Sequence, residues 1–131
     1  GSAYIIGVER ALAEWKRLLR KDGGLVYSDM VWRTQTPSEP VSSFWASEYP
    51  AMATVSTRLD QAARAGYRVL LHFDMGQSAL DAYYEPLEAR VRQLADEIEE
   101  PRVLSDLHNE IGAYHACEGQ FGYEMFVLQR C

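Results

Sequence analysis

The feature that most constrains this chain is a glycine pair, Gly23-Gly24, set between an amphipathic stretch and an apolar one. Before it, Val8, Leu12, Trp15 and Leu19 recur at i, i+4, i+7 and i+11, the spacing of one helical face. Arg17, Arg20 and Lys21 crowd the expected last turn, where cations complement the carbonyl end of a helix. The glycines can take the left-handed backbone that ends a helix. Leu25-Val26-Tyr27 then opens a run that is apolar on both faces, the pattern of a strand covered by helices on each side. The segment Ala3 to Trp32 is therefore one helix–strand step of a layered α/β domain.

The rest of the chain repeats this grammar. Asp29 to Pro40 reads as a loop rich in Thr, Ser and Pro. Ser38-Glu39-Pro40 opens a short helix through Phe44, Trp45 and Glu48, which Pro50 stops. A second helix runs from Thr54 or Ser56 to Ala65 and ends at Gly66. Tyr67 to Phe73 is the second strand. Ser78 with Asp81 resembles a capping box for a helix carrying Leu80, Tyr84, Leu87, Val91, Leu94 and Ile98, with a kink or break expected near Tyr84 because of Pro86. The acidic run Asp96 to Glu100 is expected to fray the far end of that helix. Pro101 begins another helix, Gly119 and Gly122 bracket a turn, and Tyr123 to Leu128 is the last strand. Residues 1–131 are read as one domain, with 33–65 a helical insertion or lid and Gly1-Ser2 the remnant of a cleaved tag.

Composition removes several functions. A formal net charge of −6 argues against a nucleic-acid partner. No apolar run reaches the ~20 residues that cross a bilayer, and no signal pattern opens the chain. Cys117 and Cys131 lack metal-type spacing and fit reduced thiols in the cytoplasm, a disulfide between them being the lesser alternative. His108 and His115 lie seven apart without a completing acid or thiol, so no metal site is assigned.

Gly7-Val8-Glu9-Arg10-Ala11, Glu14-Trp15-Lys16, Leu18-Leu19, Gly23-Gly24-Leu25-Val26 and Ser28-Asp29 resemble the middle of a class I S-adenosylmethionine-dependent methyltransferase of the bacterial type 11, small-molecule kind. Phe44-Trp45, Tyr49-Pro50, Met52, Thr54, Ala65-Gly66-Tyr67 and Tyr83-Tyr84-x-Pro86-Leu87 follow in the same order. The resemblance is to the C-terminal half alone. It implies a three-layer α/β domain, half of a Rossmann-like fold, with a short three-stranded mixed sheet and helices on both faces. Spacing by itself makes the strands parallel; the resemblance implies that the last strand is antiparallel and central. It also implies that the cofactor half is missing, because neither the glycine turn after a strand nor the ribose-binding acid can be placed.

Ligands of open α/β sheets sit beyond the carboxyl ends of the parallel strands. That rule selects Asp29, Trp32 and His72, with Trp45 and Tyr49 from the insertion and Tyr84 from the following helix, as small-molecule-binding residues. Phe44, Glu48, Met52 and Tyr83 stand beside them, only one of Tyr83 and Tyr84 being expected to face inward. Core packing is the competing reading for the tryptophans and a satisfied structural role for His72 and Asp29. No catalytic residue is assigned. The strand Leu25 to Met30 has no Pro or Lys to block its open edge, so a homodimer paired there is expected, or a monomer whose N-terminal helix covers the edge. The combined reading is a methyltransferase-like binding or interaction module; the alternative is the substrate side of an enzyme completed by a missing segment or partner.

Overall fold

A computed structural model describes residues 2–131; Gly1, half of the expected tag remnant, lies outside them. The order is α1 (Ala3–Ile6), α2 (Val8–Lys16), β1 (Gly24–Trp32), α3 (Glu39–Glu48), α4 (Val55–Arg64), β2 (Tyr67–Asp74), α5 (Gln77–Leu94), α6 (Pro101–His115) and β3 (Phe121–Arg130). The sheet runs β1-β3-β2, and β3 pairs antiparallel with both neighbours. The last strand is thus central and reversed, as the resemblance implied and as helix spacing alone did not.

Two clusters form the core, one on each face of the sheet. Tyr27, Val31, Phe126 and Leu128 pack against Val8, Ala11 and Leu12 of α2 and Ala62 of α4. Met30 and Phe121, pointing the other way, pack against Val41 and Trp45 of α3, Leu80 and Tyr84 of α5, and Cys117 after α6. The period of two along β1 explains the split, since Tyr27 and Val31 share a face that Met30 does not.

Several boundaries differ from the sequence reading. Gly7, at φ 90°, separates α1 from α2, and α2 stops at Lys16. The left-handed residue before β1 is Asp22 at φ 62°, not Gly23 or Gly24. Gly23 is needed for a close approach instead: a Cβ there would lie 2.8 Å from the carbonyl oxygen of Arg20. β1 extends through Trp32, so Asp29 is a strand residue rather than the start of a loop. Its first half is not covered on both faces, and Val26 is 61% exposed.

Pro86 does not break α5, which runs from Gln77 to Leu94 with Leu80, Tyr84 and Val91 buried along one side. Burial of these anchors on both sides of the proline holds the helix together despite the lost hydrogen bond. Ser78 makes no cap; Gly76 precedes the helix without a side-chain bond. The helix ends before the acidic run, and Glu100 instead caps α6 by accepting from the Arg102 N–H. Carboxylates are favourable at that end of a helix. Gly122 lies inside β3, which begins at Phe121; Gly119, at φ 77°, carries the turn. Gly66, at φ 89°, ends α4 as expected.

β2 carries a bulge between Val69 and Leu71. The extra residue moves His72 and Asp74 onto the face of Phe126 and leaves Leu71 and Phe73 on the other, about half exposed. Both cysteines are free, Cys117 buried and Cys131 exposed. Among the described residues no helix is long and apolar enough to cross a membrane.

Candidate functional site

The second half of β1 is the hub of the polar interior. Asp29 is 2% exposed and its carboxylate is fully engaged. Arg58, from the first turns of α4, donates Nε–H to Oδ2 at 2.8 Å. Tyr49, at the end of α3, donates its hydroxyl to Oδ1 at 3.0 Å. The remaining guanidinium donors reach the Tyr49 hydroxyl, the Ala51 carbonyl and Gln61, each at 2.8 Å. The charge of Arg58 is therefore spent on fixing the link between α3, α4 and β1. Burial and the neighbouring Asp29 carboxylate hold the Tyr49 hydroxyl well above its ordinary pKa, so it stays a donor.

A second knot lies beside the first. Glu124 is the cross-strand partner of both Asp29 and Asp74, so three acids form a row across the sheet. Like charges in such a row repel. Arg33 forms an ion pair with Glu124 at 2.7 Å, and His72 Nδ1 is within hydrogen-bond distance of its other oxygen, also at 2.7 Å. Arg33 reaches Asp74 at 3.0 Å as well. His72 is thereby a structural partner of Glu124 on the α2–α4 side of the sheet.

On the other side, toward the carboxyl end of β1, a cavity of about 380 Å³ opens. Its buried walls include Met30, Trp45, Tyr49 and Tyr84, and Asp29 also reaches it. Phe44 of α3 and Tyr123 of β3 add two further rings. Tyr4 and Tyr83, both about half exposed, stand with Glu48 at the mouth. Tyr4 packs on Tyr49 with ring centroids 5.3 Å apart, and Tyr83 meets Tyr84 edge to face at 4.8 Å. Trp45 makes the same kind of contact with Phe121 at 5.2 Å. The Trp45 indole N–H has no partner among the described residues.

Glu110 of α6 completes the lining. Burial raises its carboxyl pKa above the ordinary value; a hydrogen bond from Tyr84 opposes that, and repulsion from Glu48 adds to it. Burial first, then Glu110, pushes the Tyr84 hydroxyl far upward. Burial pushes Tyr123 up to about 12, with Tyr83, Glu110 and Tyr4 contributing. All these phenols are neutral near pH 7.

Of the residues selected from sequence, the cavity gathers Asp29, Trp45, Tyr49 and Tyr84. Trp32 packs at the edge of the cluster below it, its backbone N–H donating to the Ala53 carbonyl at 3.0 Å, and does not line it. His72 is on the opposite face. Met52 is a core residue. Tyr83 and Tyr84 both line the cavity, one exposed and one buried, where only one was expected to turn inward. Sequence reasoning missed Tyr4, Met30, Glu110 and Tyr123 in the lining, and Arg58 as the partner of Asp29.

No family model matches the chain, and no curated protein matches its sequence. Solved structures match its fold. A methyltransferase dependent on S-adenosylmethionine from Geobacter sulfurreducens, solved with S-adenosyl-L-homocysteine, aligns with a TM-score of 0.71 at 21% identity, over 95% of this chain and 53% of that one. One from Thiobacillus denitrificans, in the same complex, gives 0.70 at 17% identity, over 95% and 53%. An N-methyltransferase from Haemonchus contortus, in complex with phosphomonomethylethanolamine and S-adenosylhomocysteine, gives 0.69 at 12%, over 93% and 29%. This chain has the fold of part of such methyltransferases and spans about half or less of their length.

Proposed function

We propose that this chain is a small-molecule-binding module on the acceptor side of a methyltransferase-like fold, without an S-adenosylmethionine site of its own. The observation that supports this best is the aromatic cavity at the carboxyl end of β1, where open α/β sheets hold ligands and where a volume of about 380 Å³ suits a small organic molecule. Chemical-shift mapping with a small-fragment library tests it. Perturbations should cluster at Trp45, Tyr84 and Tyr123; perturbations scattered over the surface would contradict it.

The residues present do not fit the cofactor. The segment after β1, 33–38, contains no glycine. The turn after β2 has Gly76 alone, whose N–H is held by the Asp74 carboxylate at 2.8 Å. Neither offers the glycine-rich backbone cradle that opens a helix after a strand. No methyl-transfer step is derived for this chain.

The edge of β1 supports a homodimer. β3 pairs with one side of β1, and among the described residues a single bridge, Trp32 to Thr54, lies on the other side. Exposed Leu18 and Val26 flank a groove of about 470 Å³ along the bare part. Two such edges can pair about a twofold axis. A cytoplasmic setting belongs to this reading, in keeping with two free thiols.

A second reading is favoured by the partial coverage of the matching structures and by the half-exposed Leu71 and Phe73 on the sheet. In it, a further α/β segment, on the same or another polypeptide, covers that face and brings the donor. Sedimentation and calorimetry separate the two. A dimer at micromolar concentration with no heat from S-adenosylhomocysteine supports the module; a monomer removes the dimer, and tight binding by this chain alone overturns the proposal.

A further inference from the structure

The acids around the sheet divide by what faces them, Asp29 and Glu124 being buried, Glu110 half-buried and Glu48 exposed. Asp29 has Arg58, and Glu124 has Arg33 and His72. Glu48 and Glu110 both line the cavity, no lining residue is basic, and among the described residues neither makes an ion pair. The guanidinium that bonds the lining residues Asp29 and Tyr49, that of Arg58, is already engaged at Nε and both Nη atoms. What surrounds the two carboxylates is a set of aromatic rings from α1, α3, α5 and β3. Rings present a negative face to a cation, and carboxylates supply the opposite charge that a buried cation requires.

We propose that the cavity binds the alkylated ammonium group of a small organic molecule, held against the rings of Trp45, Tyr84 and Tyr123 with Glu48 and Glu110 as counter-ions. This rests on the reading of the cavity as a small-molecule site and names its ligand class. Alkylation follows from the lining. A bare ammonium carries three donors that each need an acceptor, whereas methyl groups on nitrogen spread the charge and match ring faces. A neutral ligand would leave the two acids uncompensated. An anionic one would add a third negative charge to them.

Burial raises the Glu110 carboxyl in the free protein, and the repulsion between Glu110 and Glu48 adds to the rise. A cation between them reverses that effect, so ligand binding and Glu110 ionisation favour each other. The titratable groups that line the cavity with Glu110 are Glu48 on α3, Tyr49 after it, Tyr83 and Tyr84 on α5, Tyr123 on β3, Tyr4 on α1 and Asp29 on β1. Among them only Glu48 and Glu110 are carboxylates without a cation. Affinity for the ammonium should therefore fall as pH drops through the titration of Glu110.

The test is a titration of the folded chain with choline and with its neutral isostere 3,3-dimethylbutan-1-ol, followed by Trp fluorescence and calorimetry. Saturable choline binding at least about tenfold tighter than the isostere supports the proposal. Glu110→Gln and Glu48→Gln, each checked by near-UV circular dichroism for an intact fold, should each weaken choline by roughly tenfold and leave the isostere unchanged. Equal affinity for the two probes overturns the cation proposal and leaves the small-molecule reading standing. Failure of both probes to bind saturably overturns both. A correctly folded Glu110→Gln variant that binds choline as well as the parent also overturns it.

Discussion

The two sides of β1 treat their carboxylates in opposite ways. On the α2–α4 side, Asp29, Glu124 and Asp74 form a row of acids, and two arginines and a histidine are locked against it at 2.7–3.0 Å. On the other, Glu48 and Glu110 share an aromatic cavity with no basic lining residue. The first arrangement joins elements far apart in sequence: Arg58 ties α4 to β1, and Arg33 ties the end of β1 to β3 and β2. Its charges are consumed by the fold. The second leaves its two acids without an ion pair among the described residues. Charge alone does not mark a site; charge without an internal partner, in a space a ligand can enter, does.

The contrast makes graded predictions. Arg58→Ala leaves a buried carboxylate uncompensated and should cost about 3–5 kcal/mol in urea unfolding. The double variant Asp29→Leu with Arg58→Met should recover most of that loss, since an apolar pair of similar shape replaces the charges. Glu124→Gln should cost less, about 1–3 kcal/mol, because Arg33 and His72 are partly solvated and can be rehydrated.

On the cavity side the sign changes. The Glu110 carboxyl titrates above its ordinary 4.5 in the folded protein, so its contribution to stability is complete below that value and is lost as pH rises through the raised one. Glu110→Gln should therefore match the parent in acid and become the more stable of the two above the transition, read as a widening gap in Tm between about pH 4 and pH 8. Smallest of all, Tyr27→Phe should be neutral or stabilising by up to about 1 kcal/mol, because the buried Tyr27 hydroxyl has no partner among the described residues.

How far these features were legible follows from what sets them. The helical face of Val8, Leu12 and Trp15, the stop at Gly66 and the strand through Val69 are local patterns, and they read directly. The central, reversed position of β3 depends on long-range pairing, and only the family resemblance supplied it. The bulge after Val69, which fixes the face of His72, has no glycine or proline to announce it. Trp45, Tyr49 and Tyr84 were found because the strand-end rule and aromatic density agree. Glu110 and Tyr123 come from α6 and β3, remote in sequence, and reach the cavity only through the tertiary packing of those elements. Arg58 sits on an exposed-looking helix turn between Thr57 and Leu59, and nothing local distinguishes it from a surface arginine.

The most direct test of the account is the titration of Glu110 itself, followed by carboxyl-carbon NMR in the free protein and in the presence of saturating choline. The account predicts an apparent pKa above 4.5 in the free protein and a fall when the ammonium occupies the cavity. A carboxyl that titrates at its ordinary value, unmoved by choline, would contradict it.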